Sequence, residues 1–149
     1  MSTLLLDPGD EHWRAKTHLT QLRGGHVYAK VATVPLHRIL MGSPPGCDID
    51  HINGNTLDNR RSNLRIVSRS VNNVNSSKVW AKSGYKGVGF HPFSGLWYAR
   101  MKKDGKVHSF GYHKTPERAH VARLHGEKAL FGIQPQRRKV FLDAGIISE

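Results

Sequence analysis

The sequence predicts an α+β chain of two small modules in series: a ββα unit, then a three-stranded antiparallel sheet with one helix. Three observations predict this. A dense polar cluster, Asp48–Asn75, is threaded by short apolar runs and ends in a helix-start signal. Beyond Gly84, three strand-like runs joined by tight-turn signals lead into a capped helix. Charge is also segregated. Residues 1–77 carry nine Lys/Arg against six Asp/Glu, a net of +3, whereas residues 78–149 carry fourteen against five, a net of +9.

In chain order, Gly24-Gly25 marks a turn, and His26–Val34 reads as a strand leading into Pro35-Leu-His-Arg-Ile-Leu-Met. Gly42–Gly46 is a loop. Asp48–Ile52 reads as a short strand, 53–62 as a loop and Leu64–Val67 as a second strand. Ser68 is placed to cap a helix from Arg69 to about Asn75. Residues 78–83 have linker composition, although Val79-Trp80 could dock on a neighbour.

Tyr85–His91 and Leu96–Lys102 are strand-like around the turn Pro92-Phe-Ser-Gly95, and Asp104-Gly105 favours a hairpin into Lys106–Tyr112. Period-two alternation puts Trp97, Ala99 and Met101 on one face and Tyr98, Arg100 and Lys102 on the other. His108 and Phe110 share a face of the third strand, which leaves its outward side open. Thr115-Pro-Glu supplies an N-cap, a first-position proline and a first-turn acid, and Gly132 can end the helix. Ala119, Ala122, Gly126 and Ala129 form a stripe of small residues suited to close packing on a sheet. The tail 133–149 is basic around Arg137-Arg-Lys139, and Val140–Ile147 reads as a docking segment or a frayed end.

With 149 residues, 38% hydrophobic, the chain can build modest cores, and its net charge of +12 suits a polyanionic partner. Cys47 alone supports neither an internal disulfide framework nor a multi-cysteine zinc site. The opening Met-Ser-Thr-Leu-Leu-Leu lacks a basic n-region, and no run approaches the roughly 18 apolar residues of a membrane span. A cytoplasmic protein with no membrane partner is expected, in a bacterial host cell if the gene is carried by a phage.

The polar cluster carries the chemistry. Phosphodiester hydrolysis needs an activated water, charge neutralisation on the phosphate and support for the leaving oxygen. His51 is a natural base for water, with an imidazole pKa of about 6.5 when free. A carboxylate (Asp50) and an amide oxygen (Asn72) are hard ligands suited to Mg²⁺. Asn63, where the loop re-enters the second strand, can fix the loop and orient His51. Asp48 reads as strand-edge or as a support behind the metal ligands, and Asp58 and Asn59 as loop-capping, with contact to metal-bound waters as the lesser alternative. The competing reading is a plain Asx-rich turn region.

Leu36-His-Arg, Asp50-His-Ile-Asn-Gly-Asn55, Asn59-Arg-Arg-Ser-Asn-Leu-Arg65 and Asn72-Asn-Val-Asn75 together resemble the HNH nuclease family, in its phage homing-endonuclease branch. The resemblance covers about residues 20–76, with a core motif at 36–75. It implies a ββα-metal fold around one divalent metal per site, His51 as general base, Asp50 and Asn72 as metal ligands, and Asn63 positioning the base. Asparagine rather than histidine at position 72 favours Mg²⁺ or Mn²⁺, with no zinc expected. His37 matches the histidine of the Leu-His-Arg element, with a structural or phosphate-contacting role, and Arg65 and Arg69 are candidates for DNA phosphate contact.

In the second half, Tyr85-Lys-Gly-Val-Gly, Trp97-Tyr-Ala-Arg100, Phe110-Gly and Thr115-Pro-Glu-Arg-Ala119 resemble the Apetala-two, or ethylene-response-factor, DNA-binding domain. That resemblance spans about residues 83–132 and implies DNA contact through Lys86, Phe93, Arg100 and Lys102. Gly89 stands where plant members often carry arginine, and Arg100 where they often carry glutamate, so no target sequence carries over.

The expected organisation is therefore a nuclease domain at 1–77, a linker at 78–83, a DNA-binding domain at 84–132 and a basic tail at 133–149. The expected function is a homing-type, metal-dependent endonuclease that nicks double-stranded DNA as a monomer or weak dimer. The alternatives are a DNA-binding protein whose nuclease half has decayed, and a structure-directed nuclease on RNA or branched DNA.

Overall fold

The computed structural model describes residues 3–23, 25–42, 44–76 and 81–148. Gly24, part of the 42–46 loop, and Lys78, Val79 and Trp80 of the expected linker lie outside the described residues. The chain divides into two compact units, Met1–Asn72 and Asn73–Glu149, each built on small antiparallel sheets or hairpins with helices.

In the first unit, a 3-10 helix (Pro8–Lys16) precedes a sheet of β1 (His18–Gln21), β2 (Val27–Val31) and β3 (Val34–Pro35). The single strand expected over His26–Val34 is in fact two. The chain reverses at Ala32-Thr33, with Ala32 in the left-handed region at φ 51°, and β2 pairs back on β3. Helix α1 (Leu36–Leu40) follows, with Leu36 fully buried. Next come β4 (Cys47–His51) and β5 (Leu64–Ser68), paired antiparallel, and helix α2 (Arg69–Asn75). Ser68 caps that helix as its sequence suggests, its Oγ accepting from the Val71 N–H at 3.3 Å.

One apolar cluster serves these elements: Leu4, Leu6, Ala29, Leu36, Leu40, Ile49, Leu57 and Leu64. Burying a leucine contributes on the order of 2 kcal/mol. The Leu-Leu-Leu run therefore anchors the N-terminal segment, which hydrogen-bonds the 53–63 loop through Leu5 N to Leu57 O and Asn59 N to Leu5 O, both at 2.9 Å.

In the second unit β6 (Val88–His91), β7 (Leu96–Lys103) and β8 (Lys106–His113) form a meander, and α3 (Pro116–Phe131) lies against all three strands. The first strand begins three residues later than expected, because Tyr85–Gly87 form a turn in which Gly87 has φ 70°. Val88, Ala99 and Ala119 make the core, with Tyr85, Trp97 and Phe110 against it. The alternation read from β7 holds, with Ala99 and Met101 buried and Arg100 and Lys102 exposed. Phe110 faces inward, where it packs on Gly126 so closely that a Cβ there would meet its ring.

The expectation for the helix needs correction, and of the two readings of the tail the docking one fits. The buried face of α3 is not the full small-residue stripe: Ala129 is exposed, while Arg123, Leu124 and Glu127 are buried. The tail is folded, with a 3-10 turn (Pro135–Arg137) and helix α4 (Arg138–Asp143) whose Phe141 is fully buried. Glu127 holds both Arg123 at 2.7 Å and Arg137 at 2.8 Å, so a buried ion triad joins the tail to α3.

Candidate active site

The β4–β5 pair sets the geometry. Asp50 lies opposite Arg65, and His51 opposite Leu64. Successive strand residues face opposite ways, so Asp48 and Asp50 share one face while Ile49 and His51 share the other. Asp50 and His51 thus end the same strand with diverging side chains.

On the carboxylate face, Arg65 donates to Asp50 Oδ2 from Nη2 at 2.9 Å and from Nε at 3.3 Å. Arg65, expected to contact phosphate, is thereby paired with an expected metal ligand. Asn72 reaches the same face from α2, where its Nδ2 donates to Asp48 Oδ2 at 3.0 Å. Asp48, read from sequence as strand-edge or as a support behind the metal ligands, thus holds the Asn72 amide. Arg69, at the start of α2, is exposed.

The donor set fits a hard divalent cation. Two carboxylates and an amide oxygen are all oxygen ligands, and Mg²⁺ needs few of them because it keeps several waters. No group of three or more His, Cys, Asp or Glu placed to hold a metal occurs among the described residues. Any metal here would rest on the mixed set of Asp50, Asn72 and Asp48.

On the opposite face His51 is buried, 5% exposed. Its Nε2 lies 3.4 Å from Asn59 Oδ1. The His37 ring meets it edge-on at 5.1 Å, and Tyr28 in turn packs on His37 at 5.9 Å. Burial pushes the His51 imidazole below its ordinary pKa, opposed by the Asn59 hydrogen bond and the charges of Asp50 and Asp58. Burial also lowers His37, to about 4, with the charges of His51 and Arg38 adding to it. Tyr28 is raised by burial and by the Asp50 carboxylate, so it keeps its phenolic proton. Of the two roles expected for His37, structural or phosphate-contacting, its burial at 8% exposed and its packing on His51 fit the structural one.

The loop between the strands is held by its own Asx residues. Asn53 Oδ1 accepts from the Asn55 N–H at 2.8 Å, and Gly54 takes φ 75°, which glycine adopts without strain. The Asn63 amide is engaged here: its oxygen accepts from the Asn53 N–H at 3.0 Å, and its Nδ2 donates to Asn53 Oδ1 and to Asp58 O. Asn63 thus fixes the loop, while the amide beside His51 is that of Asn59. The sequence offered a weak signal for this, since Asn59 shares the segment of Asn63. For Tyr28 it offered none, because Tyr28 joins the site only through the folding of β2.

In the second unit the Lys86 ammonium donates to the main-chain carbonyls of Asn73 and of Ser76, the latter at 2.8 Å. Burial and the charges of Arg123 and Arg137 lower its pKa to about 8. This corrects the expectation that Lys86 contacts DNA. Phe93 is 96% exposed, and Arg100 stacks on the Tyr98 ring at 4.8 Å.

Comparison with known proteins gives two matches. Residues 41–74 match the HNH endonuclease family, a stretch that contains Asp50, His51, Asn59, Asn63 and Asn72. The chain is also similar to Protein 3.8 of Escherichia phage T7, 34% identical over 68 residues that cover 45% of this chain and 56% of that protein. The chain thus spans about half the length of that relative. No solved structure matches. The resemblance of residues 83–132 to the Apetala-two domain gains no support from these comparisons. No helix among the described residues is long and apolar enough to cross a membrane. The family matched over residues 41–74 is one of nucleases that generally depend on a divalent metal and act on DNA.

Proposed function

We propose that the chain is a metal-dependent endonuclease of the homing type that hydrolyses phosphodiester bonds of duplex DNA and, with one site per chain, nicks one strand. The observation that carries this reading is the pairing at the end of β4. A buried imidazole, His51, adjoins a carboxylate face to which α2 brings Asn72.

In this reading His51, neutral in its buried seat, takes a proton from water as the water oxygen attacks phosphorus and the phosphodiester's leaving oxygen departs. Asp50 and Asn72, with Asp48, would hold one Mg²⁺ or Mn²⁺, which would supply positive charge to the phosphate and the leaving oxygen. Asn63 keeps the loop in place. Arg69 and, once released from Asp50, Arg65 bind flanking phosphates. The outer face of β7, with Arg100 and Lys102, and the exposed Phe93 hold the duplex. The domains are taken as 1–77 for cutting and 84–132 for holding, with the protein a monomer or weak dimer in the cytoplasm of the cell that makes it.

Plasmid nicking with Mg²⁺ or Mn²⁺ tests the reading, comparing wild type with His51→Ala. Metal-dependent conversion of supercoiled to open-circular DNA is expected for wild type. His51→Ala is expected to lose about 10²- to 10⁴-fold in rate. Full activity in the variant, or none in wild type with either metal, would overturn it.

A further inference from the structure

We propose that Asn59 is a positioning residue that holds His51 in a single tautomer, with the proton on Nε2 and the lone pair on Nδ1. This rests on the reading of His51 as the base.

Both groups are buried, Asn59 at 1% and His51 at 5% exposure, and the Asn59 oxygen faces the ring at 3.4 Å. The orientation of that amide is set by its other contacts. Nδ2 donates to Thr56 O at 3.3 Å, and the Asn59 backbone N–H is tied to Leu5 O at 2.9 Å. With the nitrogen so engaged, the oxygen is the atom presented to the imidazole. An amide oxygen only accepts, so the neutral ring meets it as Nε2–H. The nitrogen able to take a proton from water is then Nδ1. Asn63 cannot substitute, because both ends of its amide are engaged with Asn53 and Asp58. The His37 ring packs edge-on against the same imidazole at 5.1 Å. Because Asn59 is anchored to Leu5, the apolar N-terminal segment reaches the base through one backbone bond and one amide.

The test uses full-length protein with ¹⁵N-labelled histidine, whose two ring-nitrogen shifts report the tautomer without DNA or metal. Wild type is expected to show His51 as the Nε2–H form. Asn59→Ala is expected to give a mixture of the two tautomers. On DNA, Asn59→Ala should lower kcat by about ten- to a hundredfold at unchanged KM. A wild-type Nδ1–H signal, or an Asn59→Ala spectrum identical to wild type, would overturn the proposal. If Asn59→Ala does not fold, the wild-type tautomer decides it. If the shifts behave as expected but wild type cleaves no DNA, the nuclease reading fails and the hold of Asn59 on the ring stands.

Discussion

The imidazoles of His37 and His51 meet edge to face, ring centroids 5.1 Å apart, both nearly excluded from solvent. Neither can take a proton without charging a buried site beside its neighbour. The folded pKa of His37 is about 4, against 6.5 for the free group. Above pH 6.5 both folded and unfolded chains carry it neutral, and stability is unaffected. Below 6.5 the unfolded chain binds a proton that the folded one refuses, so stability falls until about pH 4, by roughly 3 kcal/mol in all. Asp10 and Asp58 do not confuse this window, because Arg61 and Arg60 hold their carboxyls below the usual range. Amide hydrogen exchange of the first unit from pH 7 to 4 should show the loss, and His37→Phe should flatten it. An equally steep dependence in the variant would remove the imidazole pair as its cause.

Metal binding is expected to depend on the carboxylate face. Asp50→Ala and Asn72→Ala should each abolish Mn²⁺-induced broadening of β4 and α2 resonances and reduce nicking to the level seen with EDTA. Asp48→Ala should weaken binding less, because Asp48 also serves as the acceptor that holds the Asn72 amide at 3.0 Å. Retained Mn²⁺ broadening in Asp50→Ala would place the metal elsewhere.

Arg65 and a cation compete for Asp50. The guanidinium lies 2.9 Å from Oδ2, with side chains 25% and 12% exposed, so a metal must displace or share that contact. Arg65→Ala should therefore tighten Mn²⁺ binding severalfold by calorimetry while lowering affinity for DNA. An ion pair that solvent still reaches contributes on the order of 1 kcal/mol, which sets the size of the effect. Weaker metal binding in the variant would show that Arg65 supports the site instead.

The parts of this fold that local chemistry dictates were legible in the sequence, and the parts set by packing were not. Ser68 and Thr115 cap their helices as read, because a cap is a contact between near neighbours in the chain. The inward face of β7 followed from alternation alone. The split of β2 from β3 was missed because Ala32 carries no turn signature; its positive φ is imposed by pairing. The motif singled out Asp50, His51 and Asn72 as candidates, but spacing cannot say that Asn59 rather than Asn63 faces the imidazole, since that depends on how the loop closes. Its position in the Apetala-two resemblance puts Lys86 at the DNA, and only the fold shows it capped by carbonyls.

Glu127 is fully buried between Arg123 and Arg137. Glu127→Gln keeps the volume but leaves two guanidiniums without a counter-charge. Removing one partner of a buried pair costs about 3–5 kcal/mol. The second unit should therefore lose most of its stability, with release of α4 and exposure of Phe141 to solvent. Thermal unfolding followed by tryptophan fluorescence would read it, and an unchanged midpoint would show the triad to be solvated in solution.

The outer face of the second unit's sheet should govern affinity for DNA. Gly89 lies under the Tyr98 ring, where any Cβ would fall on the phenol, and Arg100 stacks on that ring at 4.8 Å. Gly89 is thus what seats Tyr98, and the Arg100 guanidinium lies over that ring. Each phosphate contact adds about 0.9 to the slope of log affinity against log salt. Arg100→Ala with Lys102→Ala should therefore make that slope shallower by about two units and weaken binding at low salt. Gly89→Ala alters no charge, yet by displacing Tyr98 and Arg100 it should reproduce part of the loss, whereas Val107→Ala on the same exposed face should not. Filter binding across a salt series measures all three, and equal affinity in wild type and Gly89→Ala would sever Tyr98 from DNA recognition.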